Sequence, residues 1–163
     1  MSCKMNIHII TVGRIKEKFL TMAIDEYSKR LKGYCKLEII EVKDEKTPDN
    51  ASEAEKQKIL ETEGARILKH LKSGSVIATL EIEGKQLTSP EFSQKIDAFA
   101  LSGKSDITFI IGGSLGLMPE IKARSDWSLS FSKMTFPHQL FRVMLLEQIY
   151  RAFKISKNEP YHK

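Results

Sequence analysis

The feature that most constrains this chain is a repeated change of apolar period. Short apolar runs rich in β-branched residues alternate with longer stretches whose apolar residues recur every three or four positions. Asn6–Val12, Leu37–Val42, Val76–Ile82, Asp106–Ile111 and the shorter Trp127–Phe131 read as strands. Helices are expected over Glu17–Leu31, from Ser52 toward Leu71, from Ser89 and Pro90 to Leu101, and from Pro137 to Lys154. Ser73-Gly74 should stop the second helix, and Glu83-Gly84-Lys85 should turn the chain after the third strand. Strands separated by helix-length segments pair in parallel and carry their helices on the sheet faces. The pattern therefore predicts an α/β fold with a mainly parallel sheet flanked by helices.

The last helix adds a second constraint. Leu140, Phe141, Val143, Met144, Leu145 and Leu146 leave little of its circumference polar. A helix apolar nearly all round must be covered on more than one side. One cover is its own sheet. The other is expected to be a second subunit, giving a homodimer, with deep burial in the monomer as the alternative.

The chain has 163 residues, read as a single domain over 1–163 with room for a sizeable core. Its net charge of +5 tolerates a polyanionic partner without demanding one. Cys3 and Cys35 form no C-x-x-C, and His8, His70, His138 and His162 show no metal-ligand spacing. Neither a disulfide framework nor a metal site is expected. No apolar run is long enough to span a bilayer, and the opening MSCKMNIHII lacks a leader's apolar core and cleavage site. A reduced, cytoplasmic protein is expected, with no membrane partner. Met5 reads as a native start, which makes Met1–Lys4 an extension or cloning remnant.

The stretch FIIGGSLGL, Phe109–Leu117, holds the chemistry-bearing motif. Two nucleotide motifs fail there. Gly103-Lys104-Ser105 would need glycine at Ala98 to complete a Walker A loop, and it precedes a strand instead of following one. The Rossmann fingerprint is missing, because the loop has G-G-x-x-G. Gly112-Gly113-Ser114-Leu115-Gly116 does spell G-x-S-x-G, the elbow of a serine hydrolase, with Asp126 and His138 following in the right order. They crowd into too little chain to build the rest of that fold. The other reading is a backbone cradle, whose glycines let a planar ligand press against main chain. Three strand ends would form it: Thr79-Leu80-Glu81, Ile111-Gly112-Gly113, and Ser130–Phe136.

IIGGSLGL, the long block LSFSKMTFPHQLFRVMLLEQIYRAFKI and the terminal EPYHK resemble the ribosomal large-subunit RNA methyltransferase H family of the SPOUT superfamily. The likeness runs from MNIHIITVGRIKEKF through DEKTPDN and LEIEGK to the last residue, so it covers essentially the whole chain from Met5. Met118-Pro119 after the glycine loop is a small departure.

The resemblance implies a SPOUT-type α/β knot, a C-terminal trefoil knot that departs from the rule against threaded chains. It implies S-adenosyl-L-methionine-dependent methylation of N3 of a pseudouridine in large-subunit (23S) ribosomal RNA, by a homodimer acting on the assembled ribosome. Carried over by position, Leu80, Gly112, Phe131, Ser132, Lys133, Met134, Thr135 and Phe136 would line the cofactor pocket. Tyr161, His162 and Arg142 are the polar groups expected near the target base: a tyrosine or histidine to take the ring proton, the arginine to steady an anion. The Pro160–Lys163 tail is expected to reach the other subunit's site. His138 would contact substrate or fix the start of the last helix. Arg14, Lys16 and Lys18, with Lys29, Arg30 and Lys32, form the densest basic grouping and are candidates for ribosomal phosphate. The alternatives are a non-catalytic ribosome-binding factor of the same fold and a small serine hydrolase using Ser114.

Overall fold

The structure, a computed structural model, describes residues 4–163, so most of the supposed N-terminal extension lies outside the described residues. Its elements run β1 (Met5–Val12), α1 (Lys18–Leu31), β2 (Cys35–Val42), α2 (Glu53–Leu68), β3 (Val76–Gln86), α3 (Ser89–Leu101), β4 (Asp106–Ile111), α4 (Pro119–Ala123), β5 (Trp127–Ser130) and α5 (His138–Ser156). The strands form one five-stranded sheet in the order β2-β1-β4-β3-β5. Every neighbouring pair is parallel, which meets the α/β expectation.

The order explains the apolar runs. β1 and β4 lie inside the sheet, where Ile9 sits opposite Ile39 on one side and Phe109 on the other. Both strands are covered on both faces, so they are buried at consecutive positions instead of alternating, with His8, Thr11 and Thr108 buried among the apolar residues. Ile7, Ile9, Ile107 and Phe109 join residues of α1, α3 and α5 in one core, whereas Ile10, Val12 and Ile110 join α2 and α4 in a second. Three layers result: helices, sheet, helices.

Local sequence starts two of these helices. Ser52 accepts from the Glu55 amide while the Glu55 carboxylate accepts from the Ser52 amide, and Thr88 with Glu91 repeats the arrangement at α3. Each reciprocal pair satisfies two amides that a helix start leaves without partners. The inward stripe of α2 also includes the buried Glu63 and Gly64, which its apolar spacing does not reveal.

Three features depart from the expectations. The turn at Glu83-Gly84-Lys85 is a bulge inside a longer strand: Leu80 and Lys85 both pair with Leu129, and the residues between them are pushed out of the ladder. Gly84 is required there, because a Cβ would lie 2.8 Å from the Leu129 backbone carbon. The short α4, with Pro119 in its first turn, went unread. Finally, α5 packs between α1 and α3, so much of its apolar circumference is covered within the protomer.

Candidate active site

A cleft of about 600 Å³ opens where the ends of β3, β4 and β5 approach the start of α5. This lies at the carboxyl ends of the strands, where open α/β sheets bind ligands. Its volume is in the range of small-molecule pockets. The β3 bulge supplies Leu80 to Glu83, the loop after β4 supplies Ile111 to Leu117, and the segment after β5 supplies Ser130, Phe131, Ser132, Thr135 and Phe136. His138 and Phe141 close it from α5, and Lys122 from α4.

The structure thus gathers Leu80, Gly112, Phe131, Ser132, Thr135, Phe136 and His138 around one space. Lys133 and Met134 are not in its lining, and the Met134 side chain is 72% exposed. The Met134 amide is held by the Ser132 hydroxyl at 3.0 Å, which folds this segment back on itself. Glu81 was expected at the end of the third strand, whereas sequence reasoning missed Leu117, Lys122 and Phe141. Only the bulge and the placement of α4 bring the charged pair in: Glu81 accepts from the Thr79 hydroxyl at 2.7 Å and lies 3.9 Å from Lys122.

The glycines of the loop have a different reason from the one expected. A Cβ on Gly112 would lie 2.5 Å from the Gly116 carbonyl oxygen, and one on Gly113 would meet Val12 and the Glu63 carboxylate at 3.1 and 3.2 Å. They clear the loop's own chain and the protein behind it. Gly116, at φ +83°, allows the tight return in which its amide donates to the Gly113 carbonyl at 3.0 Å. Behind this loop, burial pushes the Glu63 carboxyl up from its ordinary value, although the Glu45 amide donates to it.

The serine elbow is not built. Ser114 sits in the tight turn, and the next helix starts only at Pro119, so the strand does not feed directly into a helix. Asp126 is occupied by the Ile77 amide at 2.9 Å, and no hydrogen bond among the described residues joins Ser114 to His138. The glycine loop is a wall of the cleft, and Ser114 is part of that wall.

Arg142 is 1% exposed and does not line the cleft. Its Nη1 donates to Glu41 at 2.7 Å and its Nη2 to the Gly13 carbonyl at 3.1 Å, while Nε has no partner. His138 lies against the same loop, since a Cβ on Gly13 would be 3.8 Å from its Nε2. Burial, reinforced by the Arg142 charge and opposed by Asp44, lowers the basicity of His138. Tyr161 donates to Glu147 at 2.9 Å, and His162 sits 3.2 Å from Arg151. The tail therefore rests on its own α5, outside the large cleft. Glu147 lines a second cleft of about 270 Å³, which shares Leu129, Ser130 and Phe131 with the first. Among the described residues, no group of three or more histidine, cysteine or acidic side chains could hold a metal ion, and no helix is long and apolar enough to cross a membrane.

A three-layer parallel fold, with a cleft over its glycine loop, is matched along its length by a sequence family described as "Predicted SPOUT methyltransferase", over residues 5–162. The chain belongs to the SPOUT methyltransferases. Within that family it is 64% identical over 159 residues to the ribosomal RNA large subunit methyltransferase H of Clostridium botulinum (strain Hall), covering 98% of this chain and 100% of that protein. It is 61% identical, with the same coverage, to the ribosomal RNA large subunit methyltransferase H 1 of Clostridium perfringens (strain SM101). Among solved structures, a probable methylase family protein from Haemophilus influenzae Rd KW20 superposes with a TM-score of 0.55 at 14% identity, covering 98% of this chain and 71% of that one. That likeness concerns the fold.

Proposed function

We propose that this SPOUT methyltransferase transfers a methyl group from S-adenosyl-L-methionine to N3 of a pseudouridine in 23S ribosomal RNA, on the assembled ribosome. The observation that carries the reading is the large cleft, because its lining suits that cofactor. Leu80, Leu117, Leu129, Phe131 and Phe136 give apolar walls for a ring and a thioether, and the loop main chain offers peptide groups to a base edge. Glu81, its side chain 12% exposed, would face the cofactor's positive charge, and the aromatic rings would add cation–π attraction. When bound, the cofactor supplies an electrophilic methyl group on a sulfonium. The names of the curated relatives support ribosomal RNA as the acceptor.

The chain's own part is positioning and proton handling. A cleft that holds both reactants in line contributes up to roughly 7–11 kcal/mol. His138, its basicity lowered by burial and by the Arg142 charge, stands at the cleft wall as a candidate proton acceptor. Tyr161 and His162 are proposed to act at the cleft of the partner protomer, and Arg142 to hold the loop after β1, not to touch the base. Phe19 and Met22, 70% and 61% exposed on α1, are the apolar surface a homodimer would cover. β5 lies at the sheet edge and α5 returns to pack between α1 and α3, an arrangement that supports the proposed trefoil knot.

Calorimetry with S-adenosyl-L-methionine tests the cofactor, with one site per protomer expected. Mass spectrometry of ribosomal RNA from cells lacking the protein tests the product, with one methylated pseudouridine expected to disappear. Binding without the missing methyl group would favour a ribosome-binding factor, and absence of both would end the reading.

A further inference from the structure

The six basic residues Arg14, Lys16, Lys18, Lys29, Arg30 and Lys32 do not form one surface. α1 has 14 residues, so its two ends lie roughly 20 Å apart. Lys29, Arg30 and Lys32 are at its far end, where Arg30 is engaged: it pairs with Glu26 at 3.0 Å and packs over Tyr27 and Tyr150. Arg14, Lys16 and Lys18 are at the near end, exposed, and make none of the ion pairs found among the described residues.

Their mount is rigid. The loop after β1 is pinned through the Gly13 amide to Val42, the Gly13 carbonyl to Arg142, and the Ile15 amide to Glu41 at 3.3 Å. Its Gly13 faces His138, a wall of the large cleft. The neighbouring loop after β2 brings Asp44 against Gly13 and carries Lys43 and Lys46, also exposed and also outside every ion pair among the described residues. Glu17, Glu41, Asp44 and Glu45 are interspersed there, but Glu41 is paired with Arg142 and Glu45 with Arg66, which leaves two unpaired acids against five unpaired cations. Fixed, unpaired cations beside a catalytic cleft form an electrostatic track for a polyanion.

We propose that Arg14, Lys16 and Lys18, with Lys43 and Lys46, form a phosphate track that lays the ribosomal RNA backbone across the ends of β1 and β2, so that the target base enters the cleft past His138. The inference rests on the RNA methyltransferase reading and adds the direction from which the RNA arrives.

The test compares wild type with the triple variant Arg14→Gln, Lys16→Gln, Lys18→Gln, and with Lys29→Gln, Lys32→Gln. Binding to purified large ribosomal subunits is measured at several salt concentrations, with methylation kinetics and cofactor calorimetry alongside. The triple variant should raise KM for the subunits on the order of 10-fold or more. It should also reduce the slope of log affinity against log salt by about two, the release expected for three phosphate contacts on a single strand. Its affinity for S-adenosyl-L-methionine and its oligomeric mass should match wild type, and the Lys29, Lys32 variant should match wild type throughout. If the triple variant keeps its affinity and salt slope while wild type methylates, the track is wrong and the functional reading stands. A changed oligomeric mass would make this surface a contact between copies of the chain and overturn the proposal. If wild type binds subunits through the track but transfers no methyl group, the enzyme reading fails and the track survives. If wild type does not bind subunits, both fail.

Discussion

Arg142 donates from Nη2 to the Gly13 carbonyl at 3.1 Å, tying the start of α5 to the loop that follows β1. The same guanidinium reaches Glu41 on β2. A side chain that was expected at the target base is instead a buried clamp on three segments. Arg142→Gln should lower stability by about 2 kcal/mol, since it removes two charge-assisted hydrogen bonds while Glu41, 40% exposed, can turn to water. Because the Arg142 charge also suppresses protonation of His138, the variant should raise the His138 pKa. Urea unfolding and a histidine NMR titration measure the two effects. A raised pKa with unchanged stability would remove the clamp but keep the electrostatic coupling.

Gly112→Ala should weaken both folding and cofactor binding. The new Cβ would meet Gly116 carbonyl oxygen and carbon at 2.5 and 2.7 Å, and backbone atoms cannot swing aside as a side chain can. Overpacking of this kind costs typically about 1–3 kcal/mol. The displaced loop is one wall of the cleft, so affinity for S-adenosyl-L-methionine should fall on the order of 10-fold or more, the equivalent of about 1.4 kcal/mol. Ser114→Ala, by contrast, should leave affinity and turnover near wild type. Calorimetry on both variants decides, and a dead Ser114→Ala enzyme with intact cofactor binding would reopen the nucleophile reading.

Acid should loosen the open end of the sheet. His8 lies 2.9 Å from Glu38 and 3.1 Å from Asp106, and these contacts hold both carboxyls below their ordinary values of 4.5 and 3.8. A carboxyl depressed in the folded state stabilises the fold above its unfolded value, and this contribution is lost as pH falls through the folded value. Stability should therefore decline below about pH 4. His8→Gln should flatten that decline, as followed by urea unfolding across the acid range. An identical slope in both proteins would assign the acid sensitivity elsewhere.

The tail offers a separation of roles. Deleting 160–163 should abolish methylation while leaving cofactor affinity largely intact. Tyr161 also packs edge-on against Tyr150 and donates to Glu147, so the deletion should cost some stability as well. Tyr161→Phe keeps the ring and loses only the hydroxyl, at about 1 kcal/mol. If Tyr161→Phe methylates normally while the deletion is inactive, the hydroxyl carries no chemistry and His162 or the tail's shape does. Mixing Tyr161→Phe protomers with cleft variants and measuring recovered activity tests whether one protomer's tail serves its partner.

What the sequence determined by itself is local. The strand and helix segments, the start of α2 at Ser52 and the glycine loop after β4 are legible because each depends on residues within one or two turns of chain. The cleft was half legible for the same reason: Leu80, Gly112, Phe131 and Phe136 stand at the ends of readable strands. Tertiary structure decided what lies opposite. The strand order places Gly84 against Leu129, so that a supposed turn becomes a bulge that carries Glu81 into the cleft. It sets Gly112 against Gly116, buries Arg142 between Glu41 and Gly13, and splits one run of basic residues between the two ends of a helix. Local sterics and period act between neighbours in the chain, whereas clearance, burial and charge pairing act between neighbours in space, and only the folded sheet makes those two sets meet.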